Sequence, residues 1–297
     1  GTILGAANRG NPFARPETHD GVEVIVDVSD ELVRNIERLE LEAVIVVGGD
    51  GTMRCSYDLI VKGAPIIGVP KTIDNDMGGT DVTFGFDTAL DTATEALDRL
   101  HTTAESHHRV MLLELMGRDA GWIALGAGIA GGADAILIPE IPFQLESVLD
   151  RIHQREQRGH PFSIIAVAEG ARPHNGEQVF RLQADRQRVA RLGGICQQVA
   201  EELSARTHLE TRFTILGHLQ RGGQPSPFDR WLATRYGAAA VRLAAEGEHG
   251  TMVSYRGREI TSISIADALA ETPKLVDPSA ELVQTARGLG IEFGEPR

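Results

Sequence analysis

Residues 43–52, AVIVVGGDGT, place a short apolar run directly before a Gly-rich turn that carries one carboxylate, Asp50. Residues 65–76, PIIGVPKTIDND, repeat this order with a second apolar run and two carboxylates, Asp74 and Asp76. Both runs are continuously apolar, which is typical of strands buried on both faces of a parallel sheet. The two stretches therefore predict parallel strands that end in polar turns.

Four further apolar runs alternate with amphipathic segments along the rest of the chain. The runs cover 110–115, 135–138, 163–167 and 213–216, and helical stripes cover 29–39, 88–100, 145–158, 190–205 and 230–245. Strands that alternate with helices predict an α/β fold with right-handed crossovers. Residues 252–265 break the rhythm and predict an antiparallel edge.

Charge, cysteine content and apolar length argue against a nucleic-acid-binding protein, a membrane protein and a disulfide-stabilised scaffold. The 297 residues carry a formal net charge of −13, which would repel nucleic acid and anionic membrane surfaces. The two cysteines, Cys55 and Cys196, form no disulfide framework and suit a reducing cytoplasm. The longest apolar stretch, 120–133, is Gly-rich and too short to span a bilayer.

Glycines accompany charged or histidine side chains at the ends of five predicted strands. These ends are 48–52, 70–76, 116–118, 168–170 and 217–223. Ligands of open α/β sheets lie beyond the carboxyl ends of the strands, so five such ends predict one polar site. Glycines allow close approach of phosphate, carboxylates bind Mg²⁺ or accept a proton, and arginines bind phosphate. Together these groups predict phosphoryl transfer.

Each motif also has a purely structural interpretation. The turn at 48–52 lacks the ending of a Walker A loop, and Asp50 either faces magnesium or caps a helix. Asp74 and Asp76 either divide proton acceptance and loop orientation between them or form an Asx-rich turn. Lys71 either pairs with these carboxylates or contacts a donor phosphate. The small residues at 126–131 match the dinucleotide fingerprint by letter, but they precede a strand and predict close helix packing instead.

Two arginines, Arg109 and Arg212, come at the amino ends of their predicted strands. Within one sheet they would point away from the predicted site. This difficulty is resolved if they reach into the site of a neighbouring subunit.

The motifs GGDGT, PKTIDND, MGR and GHLQRGG occur in this order at 48–52, 70–76, 116–118 and 217–223. In order and spacing they resemble the 6-phosphofructokinase family over nearly the whole chain. The resemblance implies transfer of the γ-phosphoryl group of ATP to the 1-hydroxyl of fructose 6-phosphate in glycolysis. It implies two Rossmann-like domains with mainly parallel sheets, a site in the cleft at the carboxyl ends of the strands, and a homodimer or homotetramer.

The resemblance also assigns roles to residues. Asp74 would be the base, and Asp50 would bind Mg²⁺. The nucleotide would contact Arg9, Gly10, Gly49, Asp50, Gly51 and Thr52. The sugar phosphate would contact Thr72, Ile73, Asp74, Met116, Gly117, Arg118, Glu169, His218, Leu219, Gln220 and Arg221, with Arg109 and Arg212 supplied across a subunit interface.

Two departures from the family pattern bear on this reading. The chain opens at Gly1 without methionine, and the family's first strand and Gly-rich donor loop would precede that residue. Gly51 resembles the ATP-dependent members, whereas Lys71 resembles the pyrophosphate-dependent ones, a mixture similar to the mixed-substrate subgroup. We expect ATP, because an aspartate at position 51 would repel the α-phosphate and glycine leaves room for it. Lys71 can neutralise charge with either donor.

Three alternatives stay open at this point. One is a pyrophosphate-dependent enzyme. Another is a NAD or lipid kinase, which shares the first motif alone. The third is an inactive or incomplete homologue. For the domains, we expect a nucleotide-donor domain at 1–85 with 220–270, and a fructose 6-phosphate domain at 86–219 with 271–297.

Overall fold

The apolar runs of the sequence form the central strands of two sheets. The computed structural model describes residues 5, 10–19, 21–182 and 191–296. The strands are β1 (Arg15–His19), β2 (Val22–Val26), β3 (Val44–Gly48), β4 (Ile66–Pro70), β5 (Val110–Leu115), β6 (Ala135–Leu137), β7 (Ser163–Ala168), β8 (Phe180–Leu182), β9 (Arg191–Leu192), β10 (Thr211–Ile215), β11 (Thr251–Arg256) and β12 (Glu259–Ser264). The helices are α1 (Ser29–Arg38), α2 (Asp50–Val61), α3 (Phe86–His107), α4 (Trp122–Ala130), α5 (Leu145–Gln157), α6 (Ile195–Ser204), α7 (Pro227–Glu246), α8 (Ile265–Ala270) and α9 (Glu281–Gly288).

The chain divides into two units, and each is built from more than one segment. The first unit contains Gly1–Thr72, Met77–Phe84 and Pro227–Pro273. The second unit contains Ile73–Asp76, Gly85–Ser226 and Lys274–Arg297.

These boundaries differ from the expected ones at four places, one of which is the single residue Gly85 in the second unit. Residues 220–226 belong to the second unit, where Gln220 accepts a hydrogen bond from Met116 N–H and Ser226 N–H donates to the Thr88 hydroxyl. Residues 271–273 belong to the first unit, where Thr272 and Glu271 accept hydrogen bonds from the backbone of Gly78 and Gly79. Residues 73–76 belong to the second unit, whose core contains Ile73.

The sheet of the first unit has the strand order β12-β11-β4-β3. β3 and β4 are parallel, β4 and β11 are parallel, and β11 and β12 are antiparallel. The antiparallel edge expected at 252–265 is therefore confirmed. β4 is buried along its whole length because Met53 of α2 packs on the Ile66 side, and Tyr236 of α7 packs on the Ile67 side.

The sheet of the second unit is entirely parallel, with the order β10-β5-β7-β6. β5 and β7 are buried at every residue, as continuously apolar strands require. One core contains residues of α3 and α4, and the other contains residues of α5 and α6. The expected α/β fold with mainly parallel sheets is confirmed.

The small residues at 126–131 lie in α4 and at its end, where they allow close packing, as expected. An added Cβ at Gly126 would lie 2.8 Å from the Leu90 side chain, and one at Gly131 would lie 2.8 Å from Leu97. Both leucines belong to α3, so glycine at these positions lets the two helices approach each other.

Burial on both faces was the wrong expectation for two of the strands. β3 leaves Ile45 40% and Val47 53% exposed, and β10 leaves Phe213 40% exposed. Both are edge strands in the described sheets, so their side chains have fewer neighbours than those of β4 or β5.

Among the described residues, no helix combines the length and the apolar character needed to cross a membrane.

Candidate active site

The GGDGT turn of the first unit joins β3 directly to α2. β3 ends at Gly48, and α2 begins at Asp50. A Cβ on Gly48 would lie 2.4 Å from the Thr52 hydroxyl oxygen, so the turn closes tightly only with glycine there. Asp50 lies in the first turn of α2, where a carboxylate is favoured by the helix dipole. Both expected roles of Asp50, helix terminus and polar site, are compatible with this position.

Lys71 and Thr72 lie beside this turn in the same unit. The Lys71 N–H donates to the Gly48 carbonyl oxygen at 2.8 Å, and a Cβ on Gly49 would lie 3.2 Å from the Thr72 Cβ. The Lys71 residue is exposed. The parallel pairing of Gly48 with Pro70 produces this proximity, because it aligns the carboxyl ends of β3 and β4.

Gly51 faces open space. Among the described residues, an added Cβ at Gly51 would meet no atom within 4 Å apart from its chain neighbours and the backbone of its own helix. The protein itself would therefore accommodate a larger side chain at this position.

Residues 73–76, which we call the acidic loop, belong to the second unit. Its three polar residues are buried: Asp74 is 5%, Asn75 4% and Asp76 8% exposed. Ile73 anchors the loop in the core of this unit, and Asn75 has a positive φ of 52°. Asparagine is among the residues that adopt this backbone conformation most readily.

Arg118 brings a guanidinium group to the acidic loop. Its Nε lies 3.8 Å from Asp74 Oδ2, and its side chain is 56% exposed. The backbone reverses sharply here, because Gly117 has φ 146° and Arg118 has φ 53°. This turn directs the Arg118 side chain to Asp74 while its N–H donates elsewhere.

Glu169 receives the backbone donors of that turn. Its Oε1 accepts hydrogen bonds from Arg118 N–H at 3.0 Å and Gly117 N–H at 3.4 Å. Burial raises the pKa of Glu169 above its usual value, and the negative charge of Asp74 acts in the same direction. Two carboxylates and one guanidinium group thus gather within the second unit at the ends of β5 and β7.

The GHLQRGG stretch forms a short 3₁₀ turn, Gly217–Arg221, after β10. Gln220 is buried, its Oε1 accepts from Met116 N–H at 3.3 Å, and its Nε2 donates to the Gly217 carbonyl oxygen at 3.1 Å. His218, Leu219 and Arg221 are exposed. Within this motif, Gln220 joins the turn to the MGR segment, and three side chains remain exposed.

Arg109 and Arg212 lie at the amino ends of β5 and β10, as expected. Both pair with Glu210: Arg109 Nε lies 2.6 Å from Glu210 Oε2, and Arg212 contacts the other carboxylate oxygen. Because the strands are parallel, this edge of the sheet is opposite to the one that carries Arg118 and Glu169. The second unit does not bring these two arginines to its acidic loop.

Two other predictions, the nucleotide contacts of Arg9 and Gly10 and a site shared by Asp50 and Asp74, are not tested by contacts within one unit. Arg9 lies outside the described residues, and its neighbour Gly10 is exposed. Asp50 belongs to the first unit and Asp74 to the second, so their shared site remains a prediction.

Among the buried carboxylates that sequence reasoning missed, Glu114 of β5 is 3% exposed. Its Oε2 accepts hydrogen bonds from Gly194 N–H and Cys196 N–H, each at 3.0 Å, at the start of α6. The sequence did contain a signal, since a single glutamate interrupts the apolar run 110–115. A buried carboxylate requires hydrogen-bond donors, so a partner segment could have been expected there.

The carboxylates of the described residues offer few ligands for magnesium. The described part of the chain contains no group of three or more His, Cys, Asp or Glu side chains arranged for a metal ion. Asp50 offers one carboxylate, whose Oδ1 lies 2.7 Å from Arg54 Nε. One carboxylate fits Mg²⁺ in phosphoryl-transfer sites, where substrate phosphates and water supply the other ligands.

The phosphofructokinase family model matches residues 1–244. The chain belongs to the phosphofructokinase family. It is 53% identical over 295 residues to a Chloroflexus aurantiacus protein named ATP-dependent 6-phosphofructokinase, covering 99% of this chain and 80% of that one. It is 48% identical over 281 residues to the pyrophosphate–fructose 6-phosphate 1-phosphotransferase of Streptomyces coelicolor, covering 94% and 78%.

Solved phosphofructokinases also share the fold. The Pichia pastoris phosphofructokinase, solved in the T-state, matches this phosphofructokinase with a TM-score of 0.72 and 30% identity. The match covers 89% of this chain, and this chain spans 29% of that longer one.

Proposed function

We propose that this phosphofructokinase transfers the γ-phosphoryl group of ATP to the 1-hydroxyl of fructose 6-phosphate, giving fructose 1,6-bisphosphate and ADP in glycolysis. The observation that carries the proposal is the grouping of Asp74, Arg118 and Glu169 in the second unit. Arg118 Nε lies 3.8 Å from Asp74 Oδ2, and Arg118 N–H donates to Glu169 Oε1 at 3.0 Å. The relative from Chloroflexus aurantiacus, with 53% identity, supports the choice of reaction.

Asp74 is the proposed general base. Its carboxylate accepts the proton of the attacking sugar hydroxyl as that oxygen bonds to the transferred phosphorus and the bond to the ADP oxygen breaks. The Arg118 guanidinium, 3.8 Å from Asp74, places positive charge where negative charge develops on the transferred group. Asp50 would hold Mg²⁺ together with the donor phosphates, and the ion would neutralise their charge.

The proposed sugar phosphate contacts surround this base. They are Thr72, Ile73, Asp74, Met116, Gly117, Arg118, Glu169, His218, Leu219, Gln220 and Arg221. Arg109 and Arg212 would come from a neighbouring subunit, which supports a homo-oligomer because they lie at the opposite edge of their own sheet. Arg9, Gly10, Gly49, Gly51 and Thr52 would contact the nucleotide. We place the enzyme in the cytoplasm, where free cysteines such as Cys55 and Cys196 persist.

ATP is the proposed donor because position 51 is open. In the described part of the chain, no atom outside the local backbone lies within 4 Å of the position that a Cβ would take at Gly51, so this space can admit the α-phosphate of a nucleotide. Pyrophosphate is the second candidate, and the relative from Streptomyces coelicolor and the exposed Lys71 favour it.

A coupled assay with fructose 6-phosphate and Mg²⁺ tests both donors on the full-length protein. We expect turnover with ATP, and turnover with pyrophosphate alone would select the second candidate. Lack of turnover with either donor would refute the proposed function.

The G51D variant tests the role of position 51. A carboxylate beside the α-phosphate should lower kcat/KM for ATP about 10²-fold, since like-charge contacts cost several kcal/mol. The matched control is G237D in α7, where an added Cβ also meets no atom of the described residues within 4 Å beyond the local backbone. Equal ATP kinetics in G51D and G237D would contradict the assignment.

A further inference from the structure

Lys274 contacts the acidic loop at two points within the second unit. Its backbone N–H donates to the Asp76 carbonyl oxygen at 2.7 Å. Its ammonium nitrogen lies 3.4 Å from Asn75 Oδ1, although the two residues are 199 positions apart in sequence. Lys274 thus holds the two residues that follow Asp74.

Trp122, the first residue of α4, holds Lys274 in turn. Its Nε1–H donates to the Lys274 carbonyl oxygen at 2.8 Å. The Lys274 ammonium nitrogen lies 5.5 Å from the centre of the Trp122 ring, within the range of a cation–π interaction. Trp122 follows Arg118 by four residues, so one segment supplies both the Asp74 partner and the Lys274 partner.

Glu140 fixes both chain segments to each other. Its Oε1 accepts hydrogen bonds from Gly121 N–H and from Val276 N–H, each at 2.9 Å. One donor adjoins Trp122, and the other lies two residues after Lys274. The contacts of Lys274 with the loop are therefore held from both sides.

We propose that Lys274 and Trp122 are positioning residues that orient the acidic loop so that the Asp74 carboxylate faces the sugar hydroxyl. The backbone at Asn75 has φ 52°, a conformation that persists in a buried loop when several neighbours determine it. The Lys274 contacts on Asn75 and Asp76 supply such constraints. The inference rests on the proposed function of Asp74.

The K274M variant keeps the aliphatic stem on Trp122 and removes the ammonium group. We expect kcat to fall about 10- to 10²-fold, because small misplacements of a catalytic group have effects of that size. KM for fructose 6-phosphate should change less than about threefold, since its proposed phosphate contacts remain. K274R keeps a cationic donor at this position and should recover most of the lost kcat.

The matched control is K62M in the first unit. Lys62 also pairs with a polar group, Asp30 at 2.6 Å, and lies 5.6 Å from the ring centre of Phe13. K62M should keep wild-type kinetics. All variants are assayed well below their melting midpoints, and circular dichroism gives the folded fraction that normalises kcat.

W122F gives a second route to the same loop. It keeps an aromatic ring beside Lys274 but removes the N–H that donates to the Lys274 carbonyl. We expect a kcat loss of about two- to tenfold, the range for one hydrogen bond, with little change in KM. If K274M does not fold, W122F and K274R carry the test.

The outcomes separate this inference from the proposed function. Wild-type kcat in both K274M and W122F, alongside an inactive D74N, would overturn the positioning role and leave the proposed function intact. A loss in K274M that K274R does not recover, with KM rising in parallel, would also overturn it. An active D74N would overturn both, because no base would then need positioning.

Discussion

Asp74 is the residue on which the proposed chemistry depends, and D74N is the sharpest perturbation of it. The amide has the shape of the carboxylate and keeps one acceptor oxygen, but it cannot take the proton of the sugar hydroxyl. A positioned general base contributes about 10²- to 10⁴-fold, so we expect kcat to fall by that factor. This range corresponds to about 2.7–5.4 kcal/mol in the activation barrier.

The structure indicates that folding stability should change little in D74N. The ion pair with Arg118 is long, 3.8 Å, and the Arg118 side chain is 56% exposed, so solvent screening holds its contribution below about 1 kcal/mol. In the other direction, the Asp74 charge raises the pKa of the buried Glu169, and the amide removes this repulsion. These opposed effects predict a Tm within about 3 °C of wild type.

A coupled assay with fructose 6-phosphate and ATP measures kcat and KM, and thermal unfolding measures Tm on the same preparation. Loss of turnover at unchanged Tm and nearly unchanged KM is the expected pattern. Turnover close to that of wild type would remove Asp74 from the role of base. A large fall in Tm would show that the amide disturbs the loop itself and that the activity loss reports folding.

Two further substitutions test the neighbours of Asp74. Burial raises the pKa of Glu169, so the folded state favours its protonated form, and the stability from this group is present below pH 4.5 and lost as pH rises through the raised pKa. In urea unfolding, E169Q should therefore be more stable than wild type at pH 7 and equally stable below about pH 4. Its kcat/KM for the sugar phosphate should fall about tenfold, because a charge-assisted hydrogen bond is lost. A stability difference that does not depend on pH would contradict this. In G170A the new Cβ would lie 2.1 Å from the Arg118 carbonyl oxygen, so we expect the free energy of unfolding to fall by about 1–3 kcal/mol and kcat/KM to fall as well. G288A, whose Cβ meets no atom of the described residues within 4 Å beyond the local backbone, should be at least as stable as wild type. Equal unfolding midpoints for the two alanine variants would show that the backbone relaxes freely around Gly170.

The strands of the two sheets were predictable because burial imposes a simple pattern on sequence. Runs such as 110–115 and 163–167 are apolar at nearly every position, and the structure forms β5 and β7 there. The same rule misled at β3, an edge strand that is as apolar as β5 but partly exposed, and at β10, an edge strand whose sequence TRFTI is only partly apolar. Sequence composition reports apolar character, but burial depends on strand order and on what covers each strand: β6 is also an edge strand, yet all three of its residues are buried.

The antiparallel pair formed by β1 and β2 was not predicted, although the sequence contains a hairpin signal between the two strands. β1 and β2 form an antiparallel pair with Arg15 opposite Val26 and His19 opposite Val22. The sequence between them reads Asp20-Gly21, a favoured two-residue hairpin connection. β1 reads RPETH and is polar and mostly exposed, whereas β2 reads VEVIV and is apolar at four of its five residues. The pair therefore lacks the strict apolar–polar alternation on both strands that identifies a half-buried hairpin.

Long-range contacts around the acidic loop were not predictable from spacing. Lys274 and Asn75 are 199 positions apart, and no periodicity connects them. Glu169 shows a partial case: the strand-end rule located it beside Met116-Gly117-Arg118, but not its hydrogen bonds to their backbone. The types of residue at a site follow from its chemistry, whereas their partners follow from packing between distant segments.

In the second unit, the register between β5 and β7 determines which residues of the two strand ends lie next to each other. Leu115 pairs with Ala168, so Gly117 and Arg118 lie beside Glu169 and their N–H groups reach its Oε1 at 3.4 and 3.0 Å. A slip of one residue would move one strand by about 3.3 Å along the other, which exceeds the tolerance of any hydrogen bond. It would also turn every buried side chain of β7 to the opposite face. The apolar residues that bury β5 and β7 therefore also fix the Glu169 contacts, because core packing sets the strand register and the register sets the distances within the polar site.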